Sequence, residues 1–426
     1  MARKYDAVIF GASGFTGVQV CRQAQRLRPF ASWAAAGRSA GRLREAVAQL
    51  DASAAKPDII VADVESHDSL VAMAQQARLV VNVTGPFRFL GEGVVRACIE
   101  AGTDYVDICG EPEFMERTLL RYQEAAVAAG VIVCHACAFD SIPADLGVIH
   151  SALLYRRAGG TCTGVEAFHS IEAPLGYTGH ATTFEAAVHG VAAAPALARV
   201  RRSATTKGMV TGPSHLGLQR SPPSFLRPPR YALPFMGSDA SVVRSSRRLL
   251  ANVLKDPAAS ELRPQFGIYF TLASAASLAK VKSGLSLYRG NVLAFGALCQ
   301  ALASCSLGRW LLVRCPRLFT CGAFSSRGPT EEQMANNSVT TTFFSQGEVG
   351  GVSCSAVLEV GCDDPGYVGT GMMVCGVAAT LLAERWALDV EGGVFTPGAL
   401  FYKSGLVGRL KKHGLRFEVV RSNIPS

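Results

Sequence analysis

The sequence predicts an α/β protein: an N-terminal Rossmann domain built on a doubly wound parallel sheet, followed by a second α+β domain. Three observations carry this expectation. The short apolar run Ala7–Phe10 leads directly into Gly11, Gly14 and Gly17, and then into a helix-like stretch, Val18–Leu27. Strand-like and helix-like segments then alternate as far as Cys134. From about Val165 the alternation gives way to β-type runs mixed with helical stretches and long loops.

Each element has a local reason. A strand buried on both faces reads as a continuous apolar run, as Ala7–Phe10 does. The glycines that follow permit a tight turn and close backbone approach, and a helix N-terminus beyond them offers free N–H groups to a pyrophosphate. Gly11, Ser13, Gly14, Phe15, Thr16 and Gly17 are therefore expected to hold a dinucleotide. Ser32–Gly37 is the second strand, and Ser39–Leu50 a helix with Arg42, Arg44 and Glu45 on its polar face. Asp58–Ala62 and Leu79–Val83 are the third and fourth strands, separated by helical Ser66–Ala77. A helix over Gly91–Ala101 ends at Gly102, the position a left-handed C-terminal residue favours. Tyr105–Ile108, a helix over Leu119–Ala129 closed by Gly130, and Val131–Cys134 complete the series. The expected division is 1–147 for the Rossmann domain, 148–370 for the second domain, and 371–426 for a segment that returns to the first.

With 426 residues, the chain can form two or three domains with sizeable cores. A hydrophobic content of 49% and a mean hydropathy of +0.23 argue against disorder. The 13 cysteines lack the spacing of a disulfide framework and no secretory signal precedes the first strand, so an intracellular, non-secreted protein with reduced thiols is expected. The net charge of +9 is uneven: Arg199 to Arg327 holds 19 Lys and Arg against only Asp239, Asp256 and Glu261. Such a basic middle suits an acidic lipid surface, or is simply a solvated loop. Nucleic acid is not expected, because the aromatics there form no stacking platform. Leu285–Val313 is apolar, uncharged between Asn291 and Leu307 and bracketed by Lys280, Lys282, Arg289 and Arg309. That pattern fits a helix lying in a membrane interface, or a buried core helix, better than a membrane span.

Arg38, directly after the second strand, stands where an NAD site carries an acid for the ribose hydroxyls. A guanidinium there, with Ser39 beside it, favours the 2′-phosphate of NADP(H) over NAD(H). Asp63, at the end of the third strand, faces the adenine or caps the strand. Asn82, Thr84, Gly85 and Pro86 close the fourth strand where the nicotinamide ribose passes. Tyr105, Asp107, His135 and Asp140 gather at the following strand ends, and Tyr105 and Asp140 are the expected proton partners for hydride movement. Cys134 and Cys137 have the spacing of half a zinc site, but no second pair completes it, so no metal is expected. No tyrosine is followed four residues later by lysine, which disfavours the short-chain dehydrogenases.

These motifs resemble the saccharopine dehydrogenase family. The carriers are Gly-Ala-Ser-Gly-Phe-Thr-Gly at 11–17, Ala-Gly-Arg at 36–38, Asn-Val-Thr-Gly-Pro-Phe at 82–87, and the segments at 102–111 and 139–147. Pro-Phe-Met-Gly-Ser-Asp at 234–239, Gly-Pro-Thr at 328–330 and Gly-Gly-Val-Phe-Thr-Pro-Gly-Ala at 392–399 are similar to the animal members. The resemblance implies nicotinamide-linked redox chemistry, an α+β second domain and a late helix, Met372–Glu384, that returns to the first domain. Saccharopine dehydrogenases proper handle a carboxylate-rich product, which needs several cations. The motifs at 82–87, 102–111 and 139–147 supply mostly acidic and neutral groups instead. Related bacterial proteins reduce enoyl groups on lipid intermediates, and animal members are associated with lipid droplets and membranes. The expected activity is therefore NADP(H)-dependent hydride transfer to or from a lipid-like carbonyl, imine or enoyl compound. The alternative is a membrane or lipid-droplet protein that keeps a nucleotide-binding fold without turnover. Expected partners are the dinucleotide, a lipid or membrane surface (lipid droplet or an organelle such as the mitochondrion) and a second copy in a homo-dimer.

Overall fold

A computed structural model describes residues 3–206, 232–235, 237–254, 262, 264–271 and 298–425. The Pro-rich segment 212–231, and residues 285–297 of the apolar stretch 285–313, lie outside the described residues.

The first sheet has seven parallel strands in the order β14-β6-β5-β4-β1-β2-β3. Its first six are β1 (Tyr5–Phe10), β2 (Trp33–Gly37), β3 (Asp58–Val61), β4 (Ala77–Asn82), β5 (Asp104–Asp107) and β6 (Ile132–Cys134). Strand order reverses between β1 and β4, so the crevice for a ligand opens at their carboxyl ends. Both faces of β1 are buried. Ala7 and Ile9 enter one apolar cluster and Val8 and Phe10 another, which is why this strand reads as an unbroken apolar run.

The helices are α1 (Phe15–Leu27), α2 (Ala40–Ala48), α3 (His67–Ala74), α4 (Phe87–Ala101), α5 (Pro112–Ala128) and α6 (Ile142–Arg157). Two start earlier than their periodicity suggested. α5 starts at Pro112, whose fixed φ suits a first helical position. α4 starts at Phe87 because the carboxylate of Glu111 accepts the N–H groups of Phe87 (2.6 Å) and Arg88 (3.3 Å). That cap comes from another part of the chain and leaves no local signal. Gly102 and Gly130 both take positive φ at their helix ends, as expected.

The second sheet is mixed, in the order β15-β13-β12-β7-β10-β9. It contains β7 (Thr161–Glu172), β9 (Ala232–Pro234), β10 (Gln265–Thr271), β12 (Ser338–Val349), β13 (Val352–Asp363) and β15 (Arg416–Ser422). β12 and β13 form a hairpin whose turn, Gly350-Gly351, takes positive φ at both residues, the geometry that matches strand twist. β8 (Gly179–His180) and β11 (Phe324–Ser325) form a separate parallel pair. Helices α7 (Ala181–Ala192), α8 (Ala194–Thr206), α9 (Asp239–Asn252), α10 (Ser306–Arg314), α11 (Pro316–Phe319) and α12 (Glu331–Asn336) surround these strands.

α6 runs through residue 147 and packs on β7 and β12, so the expected division at 147 falls within one helix. Gly147 is the contact point: a Cβ there would overlap the ring of Phe343. The C-terminal part serves both sheets. α13 (Thr370–Glu384) packs on α1, and β14 (Gly393–Phe395) adds the seventh strand beside β6. α14 (Pro397–Phe401) and α15 (Leu406–His413) follow, and then β15 joins the second sheet rather than the first. A three-residue strand such as β14 carries too little pattern to be seen in sequence. Pro365–Ala387 is long and apolar enough to cross a membrane, yet 78% of its apolar 18-residue window is buried inside the protein, the mark of a core helix. One continuous apolar cluster joins Ile9, Val81 and Val106 of the first sheet to Val165, Phe343 and Leu358 of the second.

Candidate functional site

The glycine turn is built by hydrogen bonds to its neighbour strand. The N–H groups of Gly11 (2.9 Å) and Ala12 (3.1 Å) both donate to the carbonyl of Ala36 on β2. Gly11 has φ +93°, and a Cβ on it would press on Thr84; a Cβ on Gly17 would overlap the carbonyl of Gly11. Gly14 caps α1 in extended conformation without a side-chain bond, and the first turn holds no acid, so its N–H groups face outward uncapped. Ser13 faces Gly37, at the end of β2. Arg38 is exposed and makes no ion pair among the described residues. Ser39 caps α2, its hydroxyl accepting the N–H of Arg42 at 3.4 Å. Asp63 holds its own turn by accepting the N–H of Glu65 at 3.1 Å.

Phe15 has a second role that the sequence did not reveal. Its ring stacks on His180 at 5.4 Å and meets the edge of Tyr367 at 4.8 Å, and it also lies against Gly328. The turn is thereby pinned to the second domain.

At the end of β4, the amide of Asn82 donates to the Tyr105 hydroxyl (3.0 Å) and its carbonyl accepts the N–H of Thr84 (3.0 Å). Gly85 and Pro86 then lead into α4. The buried hydroxyl oxygen of Thr84 has no hydrogen-bond partner. A buried hydroxyl left unpaired beside a cradle that only glycine fits is what a dinucleotide site requires, so the residues fit that group.

Tyr105 and Asp107 are sealed inside the sheet. Tyr105 donates to one carboxyl oxygen of Asp107 (3.0 Å), as does Nδ1–H of His135 (2.7 Å). The other oxygen accepts the N–H groups of Cys109 (3.0 Å) and Ala136 (2.9 Å). Burial pushes the Tyr105 phenol well above its ordinary value. With no exposed surface, Tyr105 orients this network and does not face a substrate. Cys134 and Cys137 are buried, the Cys137 thiol bonding the carbonyl of Cys134 at 3.4 Å, and no group of three metal-binding side chains exists among the described residues.

Asp140 differs. Asp140 is exposed to solvent, with its carboxyl beside Gly110, yet protein packs closely around it. Burial, and then the carboxylate of Asp239, push it up to about 6. Its carbonyl accepts the hydroxyls of Ser141 and of Ser238 (2.8 Å). Behind it, Nε2 of His169 meets Asp239 at 2.8 Å and Nδ1 meets Thr341 at 2.7 Å. Burial drives His169 down to about 4 and lifts Asp239 well above the carboxylate range. Tyr177 is 46% exposed and within electrostatic reach of Asp140; burial and then Asp140 raise its phenol. Asp239 closes the 234–239 motif, which was the available signal for this pair, whereas His169 and Tyr177 belong to no motif read from the sequence.

These features define a Rossmann-type dinucleotide-binding protein with a second sheet docked at its crevice. Residues 7–134 match the family model of the saccharopine dehydrogenase NADP binding domain, which makes the N-terminal domain an NADP-binding one. The chain belongs to the saccharopine dehydrogenase-like oxidoreductases. It is 37% identical over 442 residues to the saccharopine dehydrogenase-like oxidoreductase of Rattus norvegicus, covering 99% of this chain and 98% of the rat protein. It is also 30% identical over 441 residues to the lipid droplet localized protein of Caenorhabditis elegans, covering 98% of each. Apo saccharopine dehydrogenase (L-Glu forming) of Saccharomyces cerevisiae matches it in fold, with a TM-score of 0.53 and 13% identity over 98% of this chain and 100% of that one.

Asp107 accepts four hydrogen bonds, so Asp107→Asn sets an amide against at least one donor. Urea unfolding should give a loss of about 2–3 kcal/mol. A loss below about 0.5 kcal/mol would mean that the network carries no weight.

Proposed function

We propose that this chain is an NADP(H)-dependent oxidoreductase that moves a hydride to or from an uncharged, apolar carbonyl, imine or enoyl substrate. The observation that carries the reading is Asp140: an accessible carboxyl, at the carboxyl edge of the first sheet, pushed up to about 6. Backbone N–H groups from Gly11 to Gly17, with Ser13 and Thr16, would hold the pyrophosphate, and Arg38 the 2′-phosphate. Thr84, Gly85 and Pro86 would line the nicotinamide side. NADPH supplies the hydride when bound. Protonated Asp140 gives a proton to the substrate atom that gains charge, and the ionised form removes it in the reverse direction. Around it stand Asp239, neutral His169 and Tyr177. A substrate with several carboxylates needs convergent cations, so this surrounding favours an uncharged one.

The second reading, a lipid-droplet or organelle-surface protein, is favoured by exposed Leu307, Trp310 and Leu318, which stand among arginines. The printed name of the worm relative points the same way. On that reading, the wild type floats with anionic vesicles and Leu307→Ser/Trp310→Ser does not. Equal flotation of both would remove this patch from the account.

Two outcomes test the enzyme. A carboxyl with pKa near 6 is protonated below that pH, so kcat/KM for reduction should fall as pH rises through about 6. Asp140→Asn should lose that limb and about a hundredfold or more in rate; an unchanged profile would exclude Asp140. Arg38→Asp should weaken NADPH by well over about tenfold and spare NADH in calorimetric titration. Equal loss of both cofactors would remove Arg38 from the site.

A further inference from the structure

A cavity of about 740 Å³ lies in the second domain, away from the glycine turn, between α7 and the α10–α11 corner. Arg309, Arg314 and Arg317 line it, together with Trp310 and Val313, and among the described residues no acidic one does. The side chains of Arg314 and Arg317 are exposed and make no hydrogen bond or ion pair among the described residues. Arg309 is half-buried and held in place, one nitrogen donating to the carbonyl of Ala303 at 2.9 Å. Three arginines bordering one cavity with no lining carboxylate among the described residues make a cationic wall that an anion would neutralise.

The remaining wall is mixed, with Trp310, Val313 and Pro316 beside His189, Ser306 and Ser326. Trp310 is 62% exposed at the rim, and Leu307 and Leu318, each 73% exposed, stand outside it. An indole and two leucines left in water beside a cationic pocket match a ligand with one charged and one apolar end. The volume is far more than a phosphate ion fills and is in the range of small-molecule sites.

We propose that this cavity binds one molecule of an anionic amphiphile bearing a phosphate group, with the phosphate at Arg309, Arg314 and Arg317 and the acyl end against Trp310 and Val313. The site is separate from the nucleotide crevice, although its rim is tied to the first domain at two places. Ala181 follows His180, which stacks on Phe15, and the carbonyl of His189 accepts from Arg88 at 2.6 Å. The chemistry has two sources, a lipid headgroup or free phosphate, and the assignment is to the lipid.

The full-length protein is titrated with dihexanoyl phosphatidic acid below its micelle concentration, with Trp310→Phe as the control that assigns the emission change. A saturable blue shift is expected, together with a loss of about tenfold or more in affinity for Arg314→Gln/Arg317→Gln. Neither arginine supports the described fold, so melting temperature and NADPH affinity of that variant should stay at wild-type values. Absence of a saturable shift overturns the proposal, as does unchanged affinity in the arginine variant. Inorganic phosphate that binds as tightly as the amphiphile overturns the lipid assignment. Because the probe is soluble and the readout is not turnover, failure of the oxidoreductase reading would leave these outcomes unaffected.

Discussion

The wedge of Phe15 between His180 and Tyr367 is the contact that ties the glycine turn itself to the second domain, on top of the apolar core shared by the two sheets. Phe15 is the first residue of α1, so the ring leaves the glycine turn at the point where the helix N-terminus opens. The hydroxyl of Tyr367 in turn accepts the N–H of His180 at 2.6 Å, which fixes the opposing pair as one unit. Aromatic contacts of this kind contribute about 0.5–1.5 kcal/mol each beyond their buried area. That is enough to hold the turn and the second domain in one arrangement. The same wedge explains why α13 must return to α1: Tyr367 stands just before that helix, and Gly371 within it lies against Gln19, Val20 and Gln23.

The polar groups near the crevice divide into two populations. Asp107, Glu111 and Asp145 are buried acceptors that serve backbone N–H groups or neighbouring side chains. Asp145, for example, accepts the N–H of Gly398 (2.6 Å) and the hydroxyl of Ser246 (2.7 Å), which fixes α14 against α6. Asp107 and Glu111 have partners on both carboxyl oxygens, whereas Asp145 keeps one oxygen unpartnered and is pushed up to about 6 by burial. Asp140 and Tyr177 belong to the other population, reached by solvent and placed among buried ionisable groups. Low dielectric behind such groups and water in front of them is the condition under which a carboxyl titrates near neutrality.

The first sheet was legible because its signals are local. The apolar run into Gly11 and the helix-ending glycines at 102 and 130 lie within a few residues of the feature they specify. What escaped depends on distant partners. The true start of α4 is set by Glu111, 24 residues beyond Phe87, and β14 is recognisable only beside β6. Tyr105 and Asp140 read alike in sequence, as polar groups at successive strand ends, and burial separates them: one is sealed in the sheet and the other is exposed. His169 and Asp239 come from different elements and meet only in the folded protein. The basic middle was conspicuous in composition, but composition carried no information on which arginines converge.

Transfer of label from NADPH deuterated at C4 measures the central claim most directly. The wild type and Asp140→Asn are each incubated with the labelled cofactor and a set of apolar carbonyl, imine and enoyl compounds, and products are read by mass spectrometry. The account predicts a carbon-bound deuterium in at least one product with the wild type, sharply reduced with the variant. Tight NADPH binding without any transfer of label would contradict it and leave a nucleotide-binding protein that does not turn over.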